Sequence, residues 1–168
     1  MTTTLTGEKA DLLTTLAKHR HLFRYTVEGL TDEQAAQTPT VSELCLGGLI
    51  KHVAFTEKGW ASFILDGASA MEPSEDSYTE HANSFRMLPG ETLAGILAEY
   101  ERVAARTDEI IAGLESLDVS HPLPDAPWFT DKAWSARRVI VHIVAETAQH
   151  AGHADILRET VDGQKSMG

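Results

Sequence analysis

Apolar residues recur at intervals of three and four along four stretches of the chain, and no stretch alternates convincingly with a period of two. The first runs from about Glu8 to Gly29, with Leu12, Leu13, Leu16, Phe23 and Val27 on one face. Gly29 is expected to end it, and Thr31 with Gln34 reads as a capping box opening a short following turn. The second runs from about Ser42 to Leu65 and aligns Leu46, Leu49, Ile50, Val53, Trp60 and Ile64. The third is the cleanest, with Leu93, Ile96, Leu97, Tyr100, Val103, Ala104, Ile110, Ile111 and Leu114 on one stripe. The fourth is expected to start at Ser135, a good N-cap, and to continue to about Val161 with Gly163 as its stop. Two longer links separate these stretches. Gly67 to Pro89 is polar and too long for a tight turn, so a crossover or a partly ordered excursion is expected there. Val119 to Trp134 gathers Pro122, Pro124 and Pro127 around Trp128, Phe129 and Trp134. With no internal repeat and no low-complexity block, the pattern predicts an all-α chain. It reads as an antiparallel four-helix bundle forming one domain over residues 1–168.

Composition narrows the function classes. No apolar run approaches the roughly 20 residues of a membrane span, and the opening MTTTLTGEKADLL lacks the apolar core of a signal peptide. The single cysteine, Cys45, excludes an internal disulfide and suits a reducing compartment, so a cytoplasmic protein is expected. The formal net charge is −11, and among the scattered Lys and Arg residues only Arg137 and Arg138 are adjacent. Binding to DNA or RNA draws on a basic surface that neutralises phosphates, and nothing in this composition supplies one.

The chemistry concentrates in VIVHIVAETAQHAGHADILRE. Its background is Val139, Ile140, Val141, Ile143, Val144, Ala145, Ala148, Ile156 and Leu157, into which fall His142, Glu146, His150 and His153. Glu146 and His150 are separated by about 40° of helical rotation and stand one turn apart, and His153 lies about 20° from the Glu146 direction. A solvated face would lie opposite the apolar one, whereas this stripe is flanked by apolar residues on both sides and is expected to point inward. Buried carboxylates and imidazoles are costly unless paired or bound to a cation. A Glu and a His at i, i+4 can reach one ion, and bundle metal sites are assembled from such residues on facing helices. A third ligand should come from elsewhere, and His52 is the best candidate, at the edge of the second apolar stripe. The plain alternative is a solvated Glu/His pair, which the same spacing also produces.

LGGLIKHVAFTEKGW and HIVAETAQHAGHADILRE resemble the DinB superfamily, and more closely its actinobacterial branch. That branch is similar to the metal-binding domain of mycothiol-dependent maleylpyruvate isomerase. The resemblance spans nearly the whole chain and is most specific in the last helix. It implies a four-helix bundle with a metal held by a His of the second helix and two residues one turn apart on the last, here His52, Glu146 and His150. Many DinB relatives have His at both last-helix positions, whereas this branch has Glu then His. The resemblance also implies an activity, transfer of a low-molecular-weight thiol (mycothiol or a similar thiol such as bacillithiol) to an electrophile, or its use as an isomerisation cofactor. The isomerase carries a further C-terminal domain, so a stand-alone S-transferase with a substrate other than maleylpyruvate is expected.

Three protein ligands leave a coordination position open, as in catalytic zinc sites. The expected metal is zinc, although this N/O donor set also accepts nickel, manganese, iron or cobalt. A coordinating cation lowers a thiol's pKa, and the electrophile is expected against the Trp128 to Trp134 loop. His153 is a candidate group behind the ligands or toward substrate, its alternative being a packing histidine bonded to a carbonyl. Trp134, Arg137 and Arg138 are candidates to contact the cofactor. The alternatives are a loop anchor for the tryptophan and solvated cations for the arginines. His142 reads as a core or rim histidine, His19 as a packing residue, His21 as solvated, Cys45 as a buried small apolar residue, and Asp155 and Arg158 as structural. Small-molecule partners are expected, with no nucleic acid, no membrane and a possible homodimer. Two rival classes remain, a non-catalytic metal-binding bundle (sensor, storage or dimerisation) and a hydrolase with a metal-activated water.

Overall fold

Each of the four periodic stretches folds as a long helix whose ends are set by local caps. The computed structural model describes residues 7–166 and contains α1 (Glu8–Tyr25), α2 (Asp32–Ala36), α3 (Leu46–Asp66), α4 (Ser77–Ser84), α5 (Leu93–Gly113) and α6 (Ala136–Asp162). A single 3-10 turn (Gly67–Met71) follows α3, and two short strands, β1 (Ser120–Pro122) and β2 (Ala133–Ser135), precede α6. Thr31 and Gln34 form the expected capping box over α2. Thr92 caps α5 by accepting from the Gly95 N–H, and Ser135 caps α6 by accepting from the Arg138 N–H. Gly163 ends α6 with φ +81°, in the left-handed region that a side chain would oppose.

Three local readings are corrected. The first helix ends at Tyr25, and the chain turns through Thr26 to Gly29. The second begins at Leu46 rather than near Ser42. The hydroxyls of Thr40 and Ser42 accept from the N–H groups of Ser42 and Leu44, so these backbone donors are satisfied without a helix. The helix then opens at Cys45, whose sulfur accepts from the Gly48 N–H. Strands β1 and β2 were not expected. They pair antiparallel with His121 opposite Trp134, and so close the proline-rich link into a hairpin whose end is the α6 cap.

The four long helices pack into an all-α bundle. Helix α3 lies against both α5 and α6, and α1 lies against both α6 and α5. Two core clusters fix their directions. At one end Leu16 meets Phe63, Ile64, Ile110, Ile111, Val139 and Ile140. At the other, Phe23 and Val27 meet Leu46, Leu49, Leu93, Ile96, Ala154 and Leu157. Residue numbers therefore rise together in α1 and α6 and fall together in α3 and α5. Neighbours α1·α5 and α3·α6 run antiparallel, the long link 67–92 carries the chain back so that α3 and α5 run parallel, and α1 and α6, also parallel, are the first and last helices. Between the clusters lies a polar layer. Arg20 is buried and donates from Nε to Glu57 Oε2 at 3.2 Å, from its terminal nitrogens to Glu57 Oε1, and to Asp108 at 2.8 Å. The buried Tyr100 hydroxyl has no hydrogen-bond partner among the described residues. Arg158 reaches from α6 to the Thr26 and Glu28 carbonyls at 3.0 and 2.9 Å, satisfying groups left open beyond the end of α1. No helix among the described residues is long and apolar enough to cross a membrane.

Candidate metal centre

The antiparallel seam between α3 and α6 brings together groups that lie almost a hundred residues apart in sequence. His52 projects from α3, and Glu146 and His150 stand one turn apart on α6. One ligand atom from each of the three lies within 4.8 Å of the others. The His52 and His150 rings meet edge to face with centroids 5.0 Å apart. Oε2 of Glu146 is 3.6 Å from His150 Nε2, and Oε1 is 3.7 Å from His142 Nε2. His52 and His150 are buried, and Glu146 is partly open to solvent. The cluster is therefore approached from the Glu146 side.

The ring of His52 is oriented from α4, which lies in the polar excursion. Ser84 donates its hydroxyl hydrogen to the His81 carbonyl at 2.6 Å, and His52 Nδ1 lies 2.9 Å from Ser84 Oγ. With its only hydrogen committed, Ser84 Oγ accepts from Nδ1–H, and Nε2 of His52 is left as a lone-pair donor. Phe85 stacks on the other side of the constraint, its ring 3.7 Å from that of His52 and inclined by 21°. This approach depends on Gly47 and Gly48. A Cβ at Gly48 would come within 2.0 Å of the Phe85 carbonyl oxygen, and one at Gly47 within 2.3 Å of Met87 Sδ.

Electrostatics keep the imidazoles neutral. Burial, reinforced by His150 and His81, pushes His52 down to about 4. Burial also lowers His150, with His153 adding to the effect, and burial lowers His142 against the opposing pull of Glu146. Neutral imidazoles at pH 7 are the form that ligates cations. His153 is half-buried with Nδ1 3.4 Å from His150 Nδ1, on the side of the ring away from Glu146.

The other residues singled out in the sequence fall at varying distances from this cluster. Trp134 is buried, stacked on Trp60 with centroids 4.7 Å apart, and bonded from Nε1 to Asp131 at 2.8 Å. The Arg138 guanidinium lies 4.0 Å over the Trp134 ring. Arg137 is committed elsewhere, to Glu8 and Asp118. Cys45 is a buried helix cap, His21 is exposed, and His19 is half-buried on α1 outside the cluster. Asp155 accepts from the Ser166 N–H at 2.6 Å. Ser84, His81 and Phe85 were missed. They sit in a polar stretch without apolar periodicity, and the lone Phe85 in it was the one available signal.

A crystal structure of a conserved protein of locus from Enterococcus faecalis superposes on the chain with a TM-score of 0.67, covering 95% of this chain and 100% of that one. At 16% identity the likeness concerns the fold. No curated protein matches the chain. A family model described as mycothiol-S-transferase matches residues 11–163.

Proposed function

Because the chain belongs to the mycothiol-S-transferase family, a DinB-like family, we propose that it is a metal-dependent transferase joining a low-molecular-weight thiol, mycothiol, to small electrophiles. The observation that carries the metal-dependent part is the convergence of His52, Glu146 and His150. Their donor chemistry fits a divalent cation. Two neutral imidazoles and one carboxylate face one another, and among the described residues the Thr56 hydroxyl, at 3.5 Å, is the one hydrogen-bond contact of His52 Nε2. His52, Glu146 and His150 hold the ion in this reading, and zinc suits the set, with nickel, manganese, iron or cobalt as substitutes. The ion supplies a Lewis acid that lowers a thiol's pKa into the neutral range.

The surrounding residues supply orientation and a dry wall. Ser84 holds the His52 tautomer and His153 backs His150. Trp60, Phe129 and Trp134 form an aromatic wall that continues to Trp128, which is 75% exposed and is the ring left free to meet a substrate. Arg138 leaves a guanidinium at that rim for an anionic part of the cofactor, whereas Arg137 is already held by two carboxylates. In the transfer a sulfur–carbon bond forms, the bond from that carbon to its leaving group breaks, and the thiol proton is released to solvent. A cytoplasmic location follows from dependence on a reduced thiol pool.

Elemental analysis of tag-free protein tests the reading. Wild type is expected to carry close to one divalent metal per chain, His150→Ala to lose it, and only the loaded wild type to conjugate mycothiol to an aryl halide or epoxide. A wild type that takes up no zinc overturns the metal site. A loaded protein that consumes the electrophile equally well without thiol overturns the transferase and favours hydrolysis.

A further inference from the structure

The Glu146 carboxylate stands between two imidazoles, and only one of them belongs to the three-residue cluster. Oε2 faces His150, while Oε1 faces His142 from one turn earlier on α6. His142 is not free to turn. Its ring meets Trp60 edge to face at 4.9 Å and 78°, and Trp134 at 5.1 Å and 63°. Trp134 is itself immobilised, with Trp60 stacked on it, Arg138 lying over its ring, and Asp131 accepting its N–H. The hairpin and α3 thus build a clamp around an imidazole that the three-ligand site does not use.

We propose that His142 is a positioning residue for Glu146, donating Nε2–H to Oε1 so that only Oε2 is presented to the space between His52 and His150. The inference rests on the reading of those three residues as a metal site. A carboxylate with both oxygens free can chelate a cation through both and fill an extra coordination position. One whose distal oxygen is tethered binds through a single oxygen and leaves that position for a substrate. The separation of 3.7 Å is beyond hydrogen-bond length, so the inference requires the carboxylate to move toward His142 when the site is filled. Such outer partners of ligating groups typically change metal affinity by ten- to a hundredfold.

The test uses cobalt(II) as a probe in the full chain, with affinity measured by competition against a chromogenic chelator and coordination read from the visible absorption of the bound ion. His142→Ala is expected to bind about ten- to a hundredfold more weakly and to show altered cobalt bands. His142→Gln, which retains a side-chain N–H donor, is expected to restore most of the affinity and the wild-type spectrum. Thermal melting of the metal-free proteins checks that both variants fold, and equally weak affinity with the same altered cobalt bands in His142→Gln and His142→Ala would overturn the inference in favour of packing. Wild-type affinity and spectrum in His142→Ala overturn the inference while leaving the three-ligand site standing. A wild type that binds no cobalt overturns both.

Discussion

His52 shows how much of the character of a proposed ligand resides outside the residue itself. Its own position on α3 supplies a ring at the seam, but the choice of nitrogen comes from Ser84, which is 32 residues away and has no hydrogen left to donate. Removing that hydroxyl leaves a buried N–H without a partner and frees the ring to swap tautomers. Ser84→Ala is therefore expected to weaken zinc binding by about ten- to a hundredfold while His52 itself remains in place. Competition titration with a zinc chelator checks this, and unchanged affinity would mean that Phe85 stacking alone orients the ring. The α6 half of the proposed site could be picked out in the sequence because Glu146 and His150 interrupt an apolar background at helical spacing. Ser84 was not legible, because a serine in a polar stretch carries no sign of what it will face.

Within the elements, the two glycines at the start of α3 and the one at its middle look alike in sequence and act differently in the fold. Gly48 is a contact residue, since its missing side chain is the space occupied by the Phe85 and Arg86 backbone. Gly59 touches nothing, and a Cβ there would enter open space. Gly48→Ala must displace backbone and is expected to destabilise by about 1–3 kcal/mol or more, and to loosen Phe85 from His52. Gly59→Ala is expected to stabilise by about 0.5–1 kcal/mol, because a helix-interior glycine is replaced without a clash. Urea denaturation of the two variants separates them by sign. The same scale explains the misplaced start of α3. Apolar periodicity continues weakly into residues 42–45, but the Thr40 and Ser42 hydroxyls had already taken the backbone donors that a helix needs. A cap with an unambiguous side chain, Ser135, and a stop with an unambiguous glycine, Gly163, were recoverable to the residue or nearly so.

Across the whole molecule, a buried ion pair ties three of the long helices together between the two apolar clusters. Arg20 of α1 meets Glu57 of α3 in a bidentate pair and Asp108 of α5 from the side. Arg20→Met is expected to destabilise by about 3–5 kcal/mol, because Glu57 is then left buried and unpaired. Adding Glu57→Met should recover most of the loss, since an apolar layer has no charge to compensate. Chemical denaturation of the single and double variants measures this, and equal losses in both would place the cost in packing instead. The pair was invisible beforehand because Arg20 and Glu57 sit on helices whose relative rotation no local pattern specifies. By itself the sequence determined the all-α class, the four long helices, most of their ends and the polar stripe that carries Glu146 and His150. All of these follow from short-range spacing and capping chemistry, which act within a few residues. Only the tertiary structure decided which helices run parallel, which ring nitrogen of His52 faces the site, and that α4 and the hairpin close over the seam from either side. Those outcomes depend on contacts between distant segments, where burial and shape complementarity choose among partners that the local pattern leaves equivalent.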